Sequence, residues 1–146
     1  MAVNWKEAFK IGIVEIDAQH RELFSRLDNL ENALRDGKGR EVIFSTFHFL
    51  DNYVQRHFRA EEALQEFYQY PHLLMHAAEH AAFKKRLKSL EERLTLEDPS
   101  EKLAAHTQAF LTNWLITHVT SLDKELTGYI NEARTKQWEK WLVLQF

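Results

Sequence analysis

The chain has 146 residues, 45% of them hydrophobic and 28% charged, and a formal net charge of −3. This size and balance predict one globular domain, and the negative charge argues against a nucleic-acid-binding protein, which would need a basic stripe. Because cysteine is absent, disulfides and thiolate ligands are excluded, and any metal must be held by nitrogen and oxygen atoms.

The N-terminal region is predicted to be an irregular arm over residues 1–16. It carries no charged-then-apolar secretion signal, and no apolar run in the chain approaches the roughly 20 residues of a membrane span. A cytoplasmic location is therefore the default expectation. The apolar anchors of the arm are Trp5, Phe9, Ile11, Ile13 and Ile16.

Three long helices are predicted next, because glycine (4) and proline (2) are scarce. The first spans Asp17–Asp36, where leucines recur at helical spacing, and Gly37 provides a C-terminal stop. The second spans Arg40–Tyr68 and carries a long apolar stripe. After a break at Pro71, the third spans His72–Leu94.

The fourth helix is predicted to start with Asp98 as N-cap and Pro99 in the first helical position, with Glu101 completing a capping box. It extends at least to Leu122, and Ala133 is the alternative end. Beyond it, the chain end is unusually rich in apolar side chains, namely Trp138, Trp141, Leu142, Val143, Leu144 and Phe146.

Short connections between long helices favour antiparallel neighbours. The sequence therefore predicts an all-α fold: an up-down-up-down antiparallel four-helix bundle with an N-terminal arm and a short C-terminal apolar helix or tail. The bundle is assigned to residues 1–134 and the tail to residues 135–146. The tail has three open interpretations: it packs on the bundle, it contacts a second copy or another partner, or it begins a linker to an output domain.

Metal-competent side chains recur at intervals of four on two of these helices. His57 and Glu61 share one face of the second helix, and His76 and His80 share one face of the third. Apolar neighbours on the same helices indicate that both pairs face the interior of the bundle. A buried glutamate destabilises the fold unless it is paired or bound to a cation. Two histidines at this spacing can chelate one metal.

Two further segments complete the set. His118 and Asp123 on the fourth helix are five residues apart, so an ideal α-helix would separate them by roughly 140°, and either Asp123 reaches sideways or the helix loosens there. His20 is an isolated histidine on the first helix. It is a candidate metal ligand only because the other three helices also carry metal-competent side chains. The predicted two-metal site consists of His20, His57, Glu61, His76, His80, His118 and Asp123. Three other histidines are expected outside it: His48, His72 and His106.

Four motifs carry a resemblance to a known family. They are Trp5 with Ile11-Gly12-Ile13 and Ile16-Asp17-Ala18-Gln19-His20; His57-Phe58-Arg59-Ala60-Glu61-Glu62; Tyr70-Pro71 with His76 and His80; and Trp114-Leu115-Ile116-Thr117-His118 with Asp123. Over roughly residues 5 to 129 the chain resembles the hemerythrin family, in particular its bacterial hemerythrin-like members. Many of these relatives have methionine where this chain has Gln65, whose polar side chain could admit water.

The resemblance implies a centre of two non-haem iron ions. One iron would be held by His76, His80 and His118. The other would be held by His20 and His57 and would keep an open position for dioxygen. Glu61 and Asp123 would bridge the irons together with a solvent-derived oxygen atom. Reversible binding needs a dry pocket, which five side chains are expected to line: Leu23, Phe24, Phe58, Trp114 and Leu115.

Three functions are compatible with such a centre. The first is oxygen binding without catalysis, for oxygen transport, storage or delivery. The second is an oxygen or redox sensor that signals through the C-terminal segment. The third, a di-iron oxidase or peroxidase, ranks last because ferritin-like sites use more carboxylates and a Glu-x-x-His spacing, whereas this chain has a His-x-x-x-Glu pair.

Overall fold

The computed structural model describes residues 10, 12–96 and 100–145, and every regular element within them is helical. Helix α1 spans Val14–Arg35, α2 spans Gly39–Phe67 and α3 spans Leu73–Leu96. The fourth rod of the bundle is built of three consecutive pieces: α4 (Glu101–His118), a π-helical turn (Val119–Asp123) and α5 (Lys124–Gln145). The predicted all-α four-helix bundle is confirmed. The bounds of the first three helices differ from the prediction by at most three residues, whereas the fourth rod continues to Gln145, beyond the farthest predicted end at Ala133.

Contacts at the two ends of the bundle establish its direction. The fourth rod starts beside the α1–α2 connection, where Glu101 contacts the first residues of α2. At its other end the Tyr129 hydroxyl donates to the carbonyl oxygens of Tyr68 and Gln69 in the α2–α3 connection, at 2.9 and 3.0 Å. The fourth rod therefore runs parallel to α2 and antiparallel to α1 and α3.

The end of α1 follows the predicted glycine stop. Gly37 has φ of +70°, a conformation that residues with a Cβ rarely adopt. Its N–H donates to the Leu34 carbonyl at 3.2 Å, and the Lys38 N–H donates to the Ala33 carbonyl at 2.7 Å. This pair of bonds satisfies carbonyls at the end of the helix and terminates it at Arg35.

The start of α4 differs from the prediction. Asp98 and Pro99 lie outside the described residues, and the N-cap is Ser100, whose hydroxyl accepts from the Leu103 N–H at 3.1 Å. The carboxylate of Glu101 accepts from the backbone N–H groups of Gly39 at 3.2 Å and Arg40 at 2.9 Å, so it caps α2. The predicted capping box of Asp98 with Glu101 lies outside the described residues.

Two apolar clusters fill the interior. The larger contains residues from all four rods, such as Phe24, Phe47, Phe83 and Leu111. The smaller lies near the α2–α3 connection and contains Ile13, Ile16, Tyr70, Leu126 and Ile130. Along the rods the buried histidines, Glu61 and Asp123 fall between the two clusters, so one layer of ionisable side chains divides the core.

The apolar side chains near the two chain ends differ in burial. Of the predicted arm anchors, Ile13 and Ile16 are buried, whereas Trp5, Phe9 and Ile11 lie outside the described residues. At the other end α5 continues without a break across the boundary predicted between residues 134 and 135. Trp138 and Trp141 stack on each other with ring centroids 4.9 Å apart and remain 58% and 49% exposed, so these two side chains are not buried against the bundle. The division into bundle and tail stays a prediction.

Among the helices that the structure describes, none combines the length and the hydropathy needed to span a lipid bilayer.

Candidate metal centre

The polar layer brings the seven predicted side chains together. Each is at most 4% exposed. They fall into two adjoining groups, and within each group one nitrogen or oxygen atom per residue lies within 4.8 Å of the others. One group has four members, Glu61, His76, His80 and His118, and the other has three, His20, His57 and Asp123. The structure thus joins all four rods at one layer that could hold two metal ions.

Asp123 faces both groups. Its Oδ2 is 3.2 Å from Nε2 of His20, while its Oδ1 is 3.2 Å from Nε2 of His76 and 3.1 Å from Nε2 of His118. The two carboxylate oxygens therefore point to opposite sides of the layer. A carboxylate in this position can bridge two cations.

Glu61 takes a similar position from α2. Its Oε2 lies 3.3 Å from Nε2 of His80 and 3.6 Å from Nε2 of His57, and its Oε1 lies 3.7 Å from Nε2 of His76. Because His57 belongs to one group and His76 and His80 to the other, Glu61 also spans both. The layer has two potential bridging carboxylates.

Several inward-facing atoms of the layer lack hydrogen-bond partners. Both carboxylate oxygens of Glu61, both of Asp123 and both ring nitrogens of His20 are buried without a hydrogen bond of acceptable geometry. Nε2 of His118 lies 3.1 Å from Nε2 of both His76 and His80. Each unsatisfied buried polar group costs about 1–3 kcal/mol. Cations would satisfy these atoms, and imidazole with carboxylate suits iron, so the donor set fits an iron pair.

The protonation states of the layer agree with metal binding. Burial lowers the pKa of His57 to about 3 and that of His80 to about 2, and neighbouring imidazoles add to both shifts. These histidines are therefore neutral near pH 7, with a free lone pair. Burial and the Asp123 carboxylate raise the pKa of Glu61 well above its ordinary value. Burial alone would also raise the pKa of Asp123, but polar contacts with Glu61 and the histidines hold it well below its usual range.

Three of the histidines contact a side chain outside the set of seven through Nδ1. His57 contacts Oε1 of Gln19 at 2.6 Å, and His80 contacts Oε1 of Glu62 at 3.2 Å. His76 contacts the side-chain amide of Gln65 at 3.0 Å. Such outer partners orient a metal-binding imidazole so that Nε2 faces the ion.

Sequence reasoning did not assign these outer roles. Gln19 and Glu62 are adjacent in sequence to His20 and Glu61, but each bonds to a histidine of a different helix, which spacing within one helix does not reveal. Gln65 was singled out only as a departure from relatives. Its spacing of four from Glu61 was the signal that it shares the inward face.

Aromatic side chains pack against the ligand rings. Phe58 stacks on His80 with centroids 3.8 Å apart, and Trp114 stacks on His118 at 4.5 Å. Three more residues of the expected oxygen pocket are buried in the larger apolar cluster, namely Leu23, Phe24 and Leu115. An oxygen pocket lined by these five stays a prediction. Sequence reasoning missed Tyr53, which stacks on His57 at 5.6 Å and has a buried, unpartnered hydroxyl.

The three histidines expected outside the site are exposed. His48 and His106 lie on outer surfaces of α2 and α4. His72 precedes α3, where its Nε2 is 3.9 Å from Oε1 of Glu125. The structure therefore separates the five inward histidines from the three outward ones.

Comparisons with known proteins agree with this geometry. The family model of the hemerythrin HHE cation binding domain matches residues 11–130. The chain is 30% identical over 144 residues to a bacteriohemerythrin of Stenotrophomonas maltophilia, covering 94% of this chain and 91% of the relative. It is 26% identical over 133 residues to a bacteriohemerythrin of Clostridium acetobutylicum, covering 83% and 95%, and 29% identical over 128 residues to one of Aquifex aeolicus, covering 84% and 93%.

Proposed function

The chain belongs to the hemerythrin family, and from this premise we propose that it binds dioxygen reversibly at a non-haem di-iron centre, for oxygen transport, storage or delivery. The observation that carries the proposal is the buried layer of five imidazoles and two carboxylates in two adjoining groups. Its inward-facing carboxylate oxygens have no hydrogen-bond partners among the described residues.

The distances suggest how the ligands divide. His76, His80 and His118 would hold one iron, and His20 and His57 would hold the other. Glu61 and Asp123, which each face both groups, would bridge the irons together with an oxygen atom from solvent. When bound, the iron pair supplies the electrons for binding dioxygen. The group with two histidines offers fewer ligands, so it is the side on which we place the open position.

The chain's own residues would favour binding over turnover. Because His57 and His80 are neutral, they add no positive charge to the core, and the two carboxylates offset part of the charge of the iron ions. Phe58 and Trp114 stack on ligand rings and exclude water from that side. Because the site is rich in histidine and has few carboxylates, we propose a binding protein rather than an enzyme, and an oxidase or peroxidase ranks lower.

Metal analysis and optical spectra test this proposal. The purified protein should contain about two irons per chain. Oxygen added to the anaerobically reduced form should produce a visible charge-transfer absorption that disappears when oxygen is removed. An iron-free protein with an intact bundle contradicts the metal site, and oxygen consumption without a stable oxygenated form favours an oxidase.

A matched pair of variants tests the ligand assignment. His118→Ala removes an inward histidine and should lose iron. His48→Ala removes an exposed histidine of the neighbouring helix and should retain it. If both variants hold the same amount of iron, the proposed ligands are wrong.

A second candidate function is an oxygen or redox sensor. The observation that favours it is the exposed apolar end of α5, with Trp138, Trp141, Val143 and Leu144 in solvent. Exposed apolar patches usually mark interaction sites. Because α5 is continuous with the turn that carries Asp123, a change at the iron pair would reach this end through one helix. In that case residues 135–146 would contact a second copy or another partner.

A further inference from the structure

Gln65 is fully buried behind His76. It lies on α2 in the last turn before Phe67, and its backbone carbonyl accepts the Tyr70 N–H at 2.8 Å in the cap that ends the helix. Its side-chain amide lies 3.0 Å from Nδ1 of His76. Gln65 is therefore on the outer side of the His76 ring, away from the layer of facing Nε2 atoms.

The two ring nitrogens of His76 need opposite partners in the two states of the site. With a metal on Nε2, the neutral ring carries its proton on Nδ1, which needs an acceptor. Without a metal, a proton on Nε2 can face Asp123 Oδ1 at 3.2 Å or His118 Nε2 at 3.1 Å, and Nδ1 then needs a donor. One outer group must serve both states if His76 is to keep its orientation.

A primary amide can serve both. In the structure Nε2 of Gln65 faces Nδ1 of His76, which is the donor arrangement, and the amide oxygen is buried without a partner. Rotation of the amide by half a turn brings that oxygen to the same place as an acceptor. A carboxylate would serve only the Nδ1–H form, and an apolar side chain would serve neither.

We propose that Gln65 is a positioning residue that hydrogen-bonds His76 in both tautomers, so that His76 exchanges its Nε2 proton for a metal ion without losing its outer contact. In that exchange one proton leaves Nε2 for solvent and one is taken up at Nδ1. The inference rests on the proposed function, since it takes His76 as an iron ligand.

Iron release from the full-length diferrous protein to a strong chelator, under anaerobic conditions, tests the proposal. Gln65→Met should release iron about tenfold faster, within the range of about 10–100-fold in metal affinity that loss of an outer partner causes. Gln65→Glu should stay within about threefold of the wild-type rate, because its carboxylate accepts from Nδ1–H. The control is Gln55→Met, an exposed glutamine on the same helix, which should leave the rate unchanged.

Nitrogen NMR of the histidine rings in the unsubstituted full chain gives a readout that needs no variant. His76 should carry its proton on Nδ1 in the zinc-loaded protein and on Nε2 in the metal-free protein. An unprotonated Nδ1 in the loaded form overturns the proposal, as does a wild-type release rate for Gln65→Met. If Gln65→Glu releases iron as fast as Gln65→Met, Gln65 only fills space behind His76 and the proposal is wrong.

The same measurements separate the two proposals. If the wild-type protein holds no iron and no zinc, both proposals fall. If it holds two metal ions and binds oxygen while Gln65→Met releases iron at the wild-type rate, only the role of Gln65 is wrong. If Gln65→Met does not fold, Gln65→Glu and the spectra of the unsubstituted chain decide.

Discussion

His118 and Asp123 are five residues apart, yet Nε2 of His118 is 3.1 Å from Oδ1 of Asp123. On an ideal α-helix this spacing would leave the two side chains roughly 140° apart. The segment Val119–Asp123 is instead a single turn of π-helix, whose wider i→i+5 hydrogen bonding returns residues five apart to nearly the same face. The turn thus brings the fourth rod's carboxylate into the polar layer while α5 continues.

Asp123→Ala should reduce the iron content from about two per chain to about one or less. The substitution removes one of the two carboxylates that face both histidine groups, and no other carboxylate of the fourth rod that the structure describes is buried in the layer. Glu125→Ala, two residues along and exposed, is the matched control and should retain both irons. Equal iron content in the two variants would contradict a bridging role for Asp123.

The metal-free chain should become less stable as the pH falls below about 6.5. The pKa values of His57 and His80 are lowered in the fold, to about 3 and about 2, so the unfolded chain binds up to about two more protons at these sites. Glu61 acts in the opposite sense above pH 4.5, because its raised pKa keeps a proton in the folded chain. Because two histidines outweigh one carboxyl group, the unfolded chain binds more protons than the folded chain, and the free energy of unfolding should fall on acidification.

Urea unfolding of the metal-free protein between about pH 7 and about pH 5 measures this dependence. His57→Gln should flatten it, because the substitution removes one of the two sites that take up a proton on unfolding. His48→Gln, at an exposed position, should leave the slope unchanged. A free energy of unfolding that rises on acidification over this range would show that the buried histidines do not dominate.

Two glycine substitutions should change stability in opposite directions. A Cβ on Gly39 would overlap Leu34 Cδ2 and meet Oε2 of Glu101 at 2.8 Å, so Gly39→Ala should destabilise the fold by about 1–3 kcal/mol. A Cβ on Gly128 meets nothing within 4 Å on the exposed side of α5, so Gly128→Ala should stabilise by about 0.5–1 kcal/mol. Chemical denaturation measures both, and shifts of the same sign would refute the steric argument.

Removal of residues 136–146 tests the contact role of the C-terminal segment. The truncation deletes the exposed Trp138–Trp141 stack but ends beyond Arg134, whose guanidinium contacts the Tyr68 hydroxyl at 2.9 Å. We expect the full chain to self-associate and the truncated chain to be a monomer with unchanged iron content, as measured by light scattering and metal analysis. If the full-length chain and the truncated chain are both monomers, the expected contact between copies is wrong.

Most of the site could be predicted because its spacings are local. His57 and Glu61, and likewise His76 and His80, share a face by helical geometry alone, whatever the rest of the fold does. The position of Asp123 could not be fixed in this way, because the sequence does not reveal a π-helical turn. The outer partners could not be fixed either, since Gln65 meets His76 only when α2 and α3 pack together.

The start of α4 shows the same limit for the fold. Asp98 and Ser100 are both good N-cap residues, and a pattern of single positions does not choose between them. The structure has Ser100 as the cap, and Glu101 then faces the first turn of α2. The choice involves a contact between residues about sixty positions apart, which only the assembled bundle provides.

That contact has a consequence for how the protein assembles. The backbone amides of Gly39 and Arg40 find their acceptor 62 and 61 residues later in the chain. A growing polypeptide that has not yet reached Glu101 must leave those amides to water, so the first turn of α2 is expected to fray until the final rod docks. We therefore expect the hydrogen bonds from Gly39 and Arg40 to Glu101 to form late in folding. Their rate of formation depends on closing a loop of about sixty residues rather than on local helix formation.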